Sequence, residues 1–292
     1  MRFIRSVSEM QKISSALRRQ GKTIGFVPTM GALHEGHLSL IKQARKDNQI
    51  TVVSIFVNPI QFGPNEDFKR YPRPIKKDIS FCKKEKVDFI FYPQVGKMYP
   101  EGFKTMVEVG EMGNVLCGLT RPGHFRGVAT VVFKLFNIVQ PDIAYFGQKD
   151  AQQTVIIKRM VVDLNLGVKI KVMPIMREKS GLALSSRNSY LSAQERSDAL
   201  VLSGSLDLAR NLIRKGQRSC RKIIGQMKSL INANPSVRID YVDIVDLDTL
   251  KPLEKIRGKC LIALAARIGK TRLIDNIIVQ RRKVGDSPYF FV

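Results

Sequence analysis

Two of the chain's three histidines stand three residues apart, in Pro28-Thr29-Met30-Gly31-Ala32-Leu33-His34-Glu35-Gly36-His37. The segment follows Thr23 to Pro28, a short apolar run that reads as a buried strand closed by proline. It precedes Leu38 to Asp47, where Leu38, Ile41 and Ala44 recur at helical spacing. On a strand–loop–helix of this kind, positions i and i+3 share one face of the first helical turn. A helix N-terminus offers backbone N–H groups and the positive end of its dipole to an anion, phosphate above all. Gly31 and Gly36 let the backbone come close, and two imidazoles beside the anion donate to phosphoryl oxygens as charge builds in a transition state. Two other readings stay open: a glycine turn whose histidines are satisfied structurally, and a zinc site, although neither H-E-x-x-H nor a Cys/His cluster accompanies the pair.

Three further segments carry polar groups at the ends of strand-like runs. In Phe146-Gly147-Gln148-Lys149-Asp150-Ala151-Gln152-Gln153, Lys149 would bring a point charge to phosphate, and Asp150 would cap the next helix or bind ribose hydroxyls. In Leu182-Ala183-Leu184-Ser185-Ser186-Arg187-Asn188, two hydroxyls and a guanidinium suit a phosphate clamp, the alternative being a solvated turn. In Val57-Asn58-Pro59-Ile60-Gln61-Phe62, Gln61 is placed to bind a polar substrate. Gly269-Lys270-Thr271 imitates the end of a P-loop, but Leu264 stands where that pattern needs glycine, so a hairpin turn is expected. Asp240, Asp243, Asp246 and Asp248 read as a strand end and loop, not as a metal cluster.

The elements that must position these groups are legible from apolar patterning. Strand-like runs at 23–28, 51–57, 87–92, 143–146 and 169–174 alternate with helical segments at 38–47, 75–86, 128–139 and 151–163. That alternation argues a parallel, doubly wound α/β sheet. After about residue 176 the pattern changes. Ser192 and Glu195 form a capping-box pair opening a helix to about Lys215, and a second helix runs from Ser219 to Asn232. Three strand-like runs follow, 239–245, 260–267 and 272–279, with no long helix between them. The expectation is a catalytic domain over 1–176 and a smaller α+β domain over 177–292, two helices with an antiparallel three-stranded sheet. The junction at 176–188 makes a hinge, so the second domain is expected to act as a lid.

The chain has 292 residues, which at about 100–200 residues per domain suits two domains. Its 49 Lys+Arg against 25 Asp+Glu give +24, which raises nucleic acid, an anionic membrane or anionic small substrates as partners. Basic outnumber acidic residues 29 to 15 through residue 180 and 20 to 10 beyond it, so the excess is no basic arm. This spread favours a solvated basic surface on an enzyme over a nucleic-acid interface. Cys82, Cys117, Cys220 and Cys260 form no C-x-x-C pair, and a reducing cytoplasm fits. The first twenty residues are charged and amphipathic, unlike a secretory signal, and no apolar stretch approaches a spanning helix.

In order, FVPTMGALHEGH (Phe26 to His37), SIFVNPIQF (Ser54 to Phe62), RPGHFRGVATVV (Arg121 to Val132), FGQKDAQQ (Phe146 to Gln153) and LALSSRN (Leu182 to Asn188) resemble the motifs of the pantothenate synthetase (pantoate–β-alanine ligase) family, across about residues 1 to 280. That family belongs to the His-x-x-His nucleotidylyltransferase group, so the resemblance implies a Rossmann-like fold for the doubly wound sheet. The resemblance implies attack of (R)-pantoate on the α-phosphate of ATP, loss of pyrophosphate, and capture of the pantoyl adenylate by β-alanine to give pantothenate and AMP. It implies that Met30, Gly31, Ala32, Leu33, His34, Glu35, Gly36 and His37 line ATP, with His34, His37 and Lys149 as catalytic groups and His37 the proton donor. It further implies ATP contacts from Gly147, Gln148, Lys149 and Asp150, from the backbone of Met176, and from Leu184, Ser185, Ser186 and Arg187. Gln61 and Gln153 would hold pantoate, and Gln61 would also meet β-alanine. Mg²⁺ would ride with the nucleotide and no protein metal site is implied. A homodimer without nucleic-acid or membrane partners is also implied. Gln148 stands where Glu is common, Ala151 where an aromatic is common and Met176 where Val is common, which bears on substrate packing and not on reaction type. A tRNA-charging relative would carry a K-M-S-K-S-like loop where this chain has Ser185-Ser186-Arg187-Asn188, and a bare nucleotide-binding scaffold would not need the full set of motifs. The tail 283–292 runs past the family core, with no function assigned.

Overall fold

A computed structural model describes residues 1–64, 66–281 and 289–291. In chain order the elements are β1 (Arg2–Ile4), α1 (Val7–Arg19), β2 (Ile24–Thr29), α2 (Glu35–Asp47), β3 (Ile50–Ile55), α3 (Ile75–Lys84), β4 (Phe89–Phe91), α4 (Val95–Met98), α5 (Cys117–Thr120), α6 (His124–Val139), β5 (Ile143–Gly147), α7 (Ala151–Asp163), β6 (Lys169–Met173), α8 (Ala193–Arg214), α9 (Cys220–Asn232), β7 (Val237–Asp246), β8 (Lys259–Ile268), β9 (Thr271–Arg281) and β10 (Tyr289–Phe291). Short 3₁₀ turns at Pro59–Gln61, Gln148–Asp150 and Ser186–Tyr190 follow β3, follow β5 and precede α8.

Two compact units form. One comprises Met1–Asn114, Arg121–Gln148 and Ile156–Met173. Its sheet has the order β1-β4-β3-β2-β5-β6, and every pairing is parallel. Successive strand residues are buried on opposite faces. Phe26 and Val52 pack with α6 residues such as Val128 and Phe136, whereas Val27 and Val53 pack with Leu38, Ile41 and Ala44 of α2. Burial on both faces is why the strands read as continuous apolar runs with no polar alternation. The chain winds from β2 through β3 to β4 on one side and continues with β5 and β6 on the other. The switch point therefore lies between β2 and β5, and ligands of open α/β sheets bind at the carboxyl ends beside such a point. β1 was absent from the patterning because three residues on an edge strand, directly before a helix, leave no period to detect.

The other unit comprises Val115–Thr120, Lys149–Val155 and Pro174–Val292. Its sheet, β10-β9-β8-β7, is antiparallel throughout. Here period two does appear: Cys260, Ile262, Leu264, Ala266 and Ile268 of β8 face a core completed by Leu202, Leu206 and Ala209 of α8 and by Ile223, Met227 and Ile231 of α9. The capping box at Ser192 and Glu195 is formed. Residues 269 and 270 make the tight turn between β8 and β9, with Gly269 at φ 55°, so the P-loop imitation is a hairpin. Three antiparallel strands were expected and a fourth is present. β10 comes from the tail, pairing Tyr289 to Phe291 with Val279 to Arg281, and Phe291 lies under the guanidiniums of Arg210 and Arg214. The rest of the tail, 283–288 and 292, lies outside the described residues.

Asp240 sits at an irregularity in β7 and pairs with Arg272 at 2.6 Å, while Asp246 accepts the N–H groups of Asp248 and Thr249 in the following turn. Among the described residues no group of three or more His, Cys, Asp or Glu is placed to hold a metal. All four cysteines are reduced and buried.

Candidate active site

β2 ends at Thr29, whose hydroxyl donates to Ser54 O (2.8 Å) and accepts from Gly31 N–H (3.1 Å), tying the strand end to β3 as the chain turns out. Gly31 and Ala32 both adopt left-handed φ, 83° and 51°. Ala32 N–H and Leu33 N–H donate to Oδ2 and Oδ1 of Asp78, at 2.9 and 2.8 Å. His34 is the N-cap of α2: its backbone is extended, and its Nδ1 accepts from Gly36 N–H at 3.2 Å. His34 O accepts from the N–H groups of His37 (2.8 Å) and Leu38 (3.0 Å). An acceptor at Nδ1 leaves the proton of the neutral ring on Nε2. The rings of His34 and His37 lie 4.2 Å apart, both half-buried, while Glu35 points to solvent. The i, i+3 expectation is met by an N-cap and an N3 position. The reading of free backbone N–H groups is changed: those of Ala32, Leu33, Gly36 and His37 already have partners within the protein. An anion meeting this loop would find those N–H groups engaged and would depend more on side chains.

Gln61 closes the 3₁₀ turn after β3 and is 9% exposed. Its Oε1 accepts from Asn58 Nδ2 (3.0 Å), and its Nε2 rests on Met30 Sδ (3.2 Å), a weak acceptor. Asn58 is itself oriented by Tyr99, whose hydroxyl donates to Asn58 Oδ1 at 2.7 Å. Burial pushes the Tyr99 phenol up from its ordinary value, so it donates as a neutral hydroxyl. The chain of donors Tyr99–Asn58–Gln61 thereby fixes which end of the Gln61 amide is the donor. The turn's backbone is held separately: His124 Nδ1 donates to Gln61 O at 2.8 Å, and His124 Nε2 accepts from Arg121 at 2.9 Å. Arg121 is bidentate on Glu66, its Nε–Oε1 contact being 2.7 Å. Gly127 of α6 touches this turn so closely that a Cβ there would lie 2.7 Å from Gln61 Cα and collide with Ile60 O. His124 thus carries the opposite tautomer to His34.

Gly147 ends β5, and Gln148, 3% exposed, opens the 3₁₀ turn. Lys149 O accepts from Asn276 Nδ2 at 3.0 Å, and Asp150 is exposed at the head of α7. On α7, Gln152 is consumed structurally, accepting from Cys117 N–H (3.0 Å) and donating to Val115 O (2.7 Å), while Gln153 is half-buried. Met176 is 42% exposed and its carbonyl accepts from Leu184 N–H at 2.9 Å. Ser185 caps the turn holding Ser186 and Arg187, its hydroxyl accepting Arg187 N–H at 3.2 Å. Asn188, 4% exposed, donates to Glu178 (3.1 Å) and Ala183 O (3.0 Å), and Arg196 clamps Glu178 with contacts of 2.9 and 2.8 Å.

Sequence reasoning passed over Asp78, Asn58, Tyr99, Arg121, His124, Glu178 and Arg196. Asn58, Arg121 and His124 stood inside quoted motifs without a role. Asp78 had no local signal, since the loop it holds lies 45 residues earlier.

The site thus stands on a doubly wound parallel sheet, with an imidazole pair opening the helix after an inner strand. The family model for pantoate-beta-alanine ligase matches residues 2–278. The chain is 56% identical over 280 residues to the pantothenate synthetase of Caldicellulosiruptor saccharolyticus, covering 96% of this chain and 100% of the relative. It is 57% identical over 280 residues to that of Fervidobacterium nodosum, with 96% and 100% covered. Among solved structures, the pantothenate synthetase of Thermus thermophilus superposes with TM-score 0.89 at 45% identity, covering 94% of this chain and 98% of that one. The Francisella tularensis pantoate-beta-alanine ligase, solved with beta-gamma ATP and β-alanine, gives 0.77 at 37% identity, covering 94% and 97%. The chain belongs to the pantoate–β-alanine ligase family.

Proposed function

We propose that this chain condenses (R)-pantoate with β-alanine through a pantoyl adenylate, and that the two strand-end loops of the parallel sheet divide the work. The pantoate carboxylate attacks the α-phosphorus of ATP and pyrophosphate leaves; the β-alanine amine then attacks the acyl carbon and AMP leaves. Neither step needs a protein nucleophile, so the protein's share is positioning and charge stabilisation. The observation that carries the reading is the His34–His37 pair, 4.2 Å apart at the opening of α2. His34, with Nδ1 engaged as the cap acceptor, presents Nε2–H as a donor, and His37 is the donor to the phosphoryl transition state. Residues 30–37 line ATP, together with Gly147 to Asp150, Met176 and Leu184 to Arg187, with Lys149 and Arg187 as cations toward phosphate. Gln61 and Gln153 hold pantoate, and Gln61 also meets β-alanine. The half-exposed Met176, its carbonyl paired with Leu184, would meet adenine through its remaining backbone and side chain.

Mg²⁺ neutralises triphosphate charge when bound. With no cluster of metal ligands among the described residues, phosphate oxygens and water would supply most of its coordination. We assign residues 1–176 to catalysis and 177–292 to a lid, and expect a cytoplasmic homodimer; among the described residues no helix is long and apolar enough to cross a membrane. The decisive experiment gives the purified chain ATP, Mg²⁺, pantoate and β-alanine, then each subset. Pantothenate with stoichiometric AMP and pyrophosphate from the full mixture is expected. Absence of amide product, or much faster use of another acid, would overturn the assignment.

A further inference from the structure

Asp78 lies on α3 and is 1% exposed, yet both its oxygens are spent on one distant segment. They accept the consecutive N–H groups of Ala32 and Leu33 at 2.9 and 2.8 Å. Consecutive amides in left-handed backbone form a concave nest for an anion, and here a protein carboxylate fills it. Left-handed backbone at a residue with a Cβ costs roughly 1–2 kcal/mol, so Ala32 at φ 51° needs an external hold. The neighbouring Gly31, at φ 83°, is confined too: a Cβ there would lie 2.9 Å from Asp78 Oδ2 and 3.0 Å from Ile55 Cγ2. Two residues after the first pinned amide the chain reaches His34, whose ring caps α2 and stacks near His37. Asp78 also lines, with Met30, a cavity of about 220 Å³, so the loop is not packed solidly on that side. A buried negative charge beside an anion-binding loop opposes nucleotide binding by simple electrostatics; burial also disfavours that charge, and its retention calls for a geometric return.

We propose that Asp78 is a positioning residue for the nucleotide loop: its carboxylate locks Gly31 to Leu33 in the conformation that aims His34 and His37 at the transferring phosphoryl group. The proposal rests on the ligase reading for its kinetic expression, but its structural half does not. Asp78→Asn keeps the shape and one acceptor while setting an NH₂ against one of the two N–H donors. Misplacement of catalytic groups by about 1 Å costs on the order of 10²-fold. Pantoate-dependent ATP–pyrophosphate exchange is therefore expected to fall about 10²-fold, with a raised ATP KM, an unchanged β-alanine KM and an unchanged fraction of folded protein. Asp78→Glu, which keeps two oxygens, should recover part of that loss. A fall in folded fraction alone, with ATP KM and exchange per folded molecule as in the wild type, would overturn the proposal. Should the variants fail to fold, hydrogen exchange on the substrate-free wild-type chain decides: the Ala32 and Leu33 amides are expected to be protected, and exchange at open-loop rates would overturn it. Wild-type chain that makes no pantothenate would defeat the ligase reading and leave the amide-exchange result standing by itself.

Discussion

The loop after β2 and the turn after β3 sit at adjacent strand ends of one sheet, yet they are held by opposite means. The first is fixed through its backbone N–H groups, by the Asp78 carboxylate from α3 at Ala32 and Leu33 and by the Thr29 hydroxyl at Gly31. The second is fixed at both levels: His124 and Arg121 hold the Gln61 carbonyl, and Asn58 and Tyr99 hold its side chain. On the roles proposed for the two segments, the difference follows from what each would deliver. Imidazoles that stabilise a developing charge need correct placement and a correct tautomer, which the cap bond to Gly36 supplies for His34. A carboxamide that recognises hydroxyls and carboxylates must present its donor and acceptor the right way round, which demands a partner on the amide itself. Met30 Sδ, resting on Gln61 Nε2, joins the two arrangements through a weak contact.

The widest test of this division strikes the imidazoles. His37→Ala is expected to lower kcat by about 10²–10³-fold, the scale of one transition-state donor, with Tm little changed, measured by steady-state kinetics and thermal unfolding. His34 has two jobs, and two variants separate them. His34→Asn preserves the cap but not the ring, so it should keep Tm and lose activity. His34→Ala should lose activity and in addition roughly 0.5–2 kcal/mol of stability. Equal stability in these two variants would mean that the Nδ1 bond to Gly36 does not hold the helix end.

A smaller effect is expected where the second turn's amide is disoriented. Asn58→Ala frees the Gln61 carboxamide and leaves the Tyr99 hydroxyl buried without its acceptor, at a cost of about 1–3 kcal/mol. It is expected to lower kcat/KM for pantoate by about 10–100-fold while the ATP KM stays within about twofold. Tyr99→Phe removes one donor at the far end of the same chain, worth about 0.5–1.5 kcal/mol, so a loss of only a few-fold is expected. An ATP KM that rises with the pantoate KM in Asn58→Ala would show that the two strand ends are not held independently.

These contrasts also mark how far the sequence could be read. Long elements were legible because packing gives them extended apolar patterns: α7 has the bounds expected, and alternate residues of β8 from Cys260 to Ile268 face the core under α8 and α9. β1 and β10 were not, since three residues carry no period and their place is set by pairing with β4 and β9. Within the candidate site, the motif segments coincide with the loops and turns that follow β2, β3 and β5 and precede α8. The groups that hold them were legible only where they shared a motif, as Asn58 and His124 do. Asp78 reads as an ordinary acid near the start of a basic amphipathic helix, and only the sheet's topology brings it to Ala32 and Leu33.

The smallest expected effect bears on the cost of holding a loop by a charge. Burial, the dominant influence, raises the Asp78 carboxyl above its ordinary value of 3.8, against the opposing pull of the Leu33 and Ala32 N–H groups and of Lys77. Below 3.8 the native and unfolded chains both carry the proton there; between 3.8 and the raised native value only the native chain does. Stability therefore falls as pH rises through that window and levels off above it. Asp78→Asn abolishes this contribution while adding a pH-independent loss from the mismatched N–H. The wild-type minus variant difference in Tm, measured from below to above the window, should thus decline with rising pH and then become flat. The neutral Tyr99–Asn58–Gln61 arrangement has no group that titrates in that range, so the same difference taken for Tyr99→Phe should be flat throughout. A difference that rises with pH for Asp78→Asn would mean that the carboxylate's charge is better solvated by the loop than its burial allows, and a slope for Tyr99→Phe would mean that its turn is coupled to a titrating group; either would collapse the contrast between a loop held by charge and a turn held by neutral hydrogen bonds.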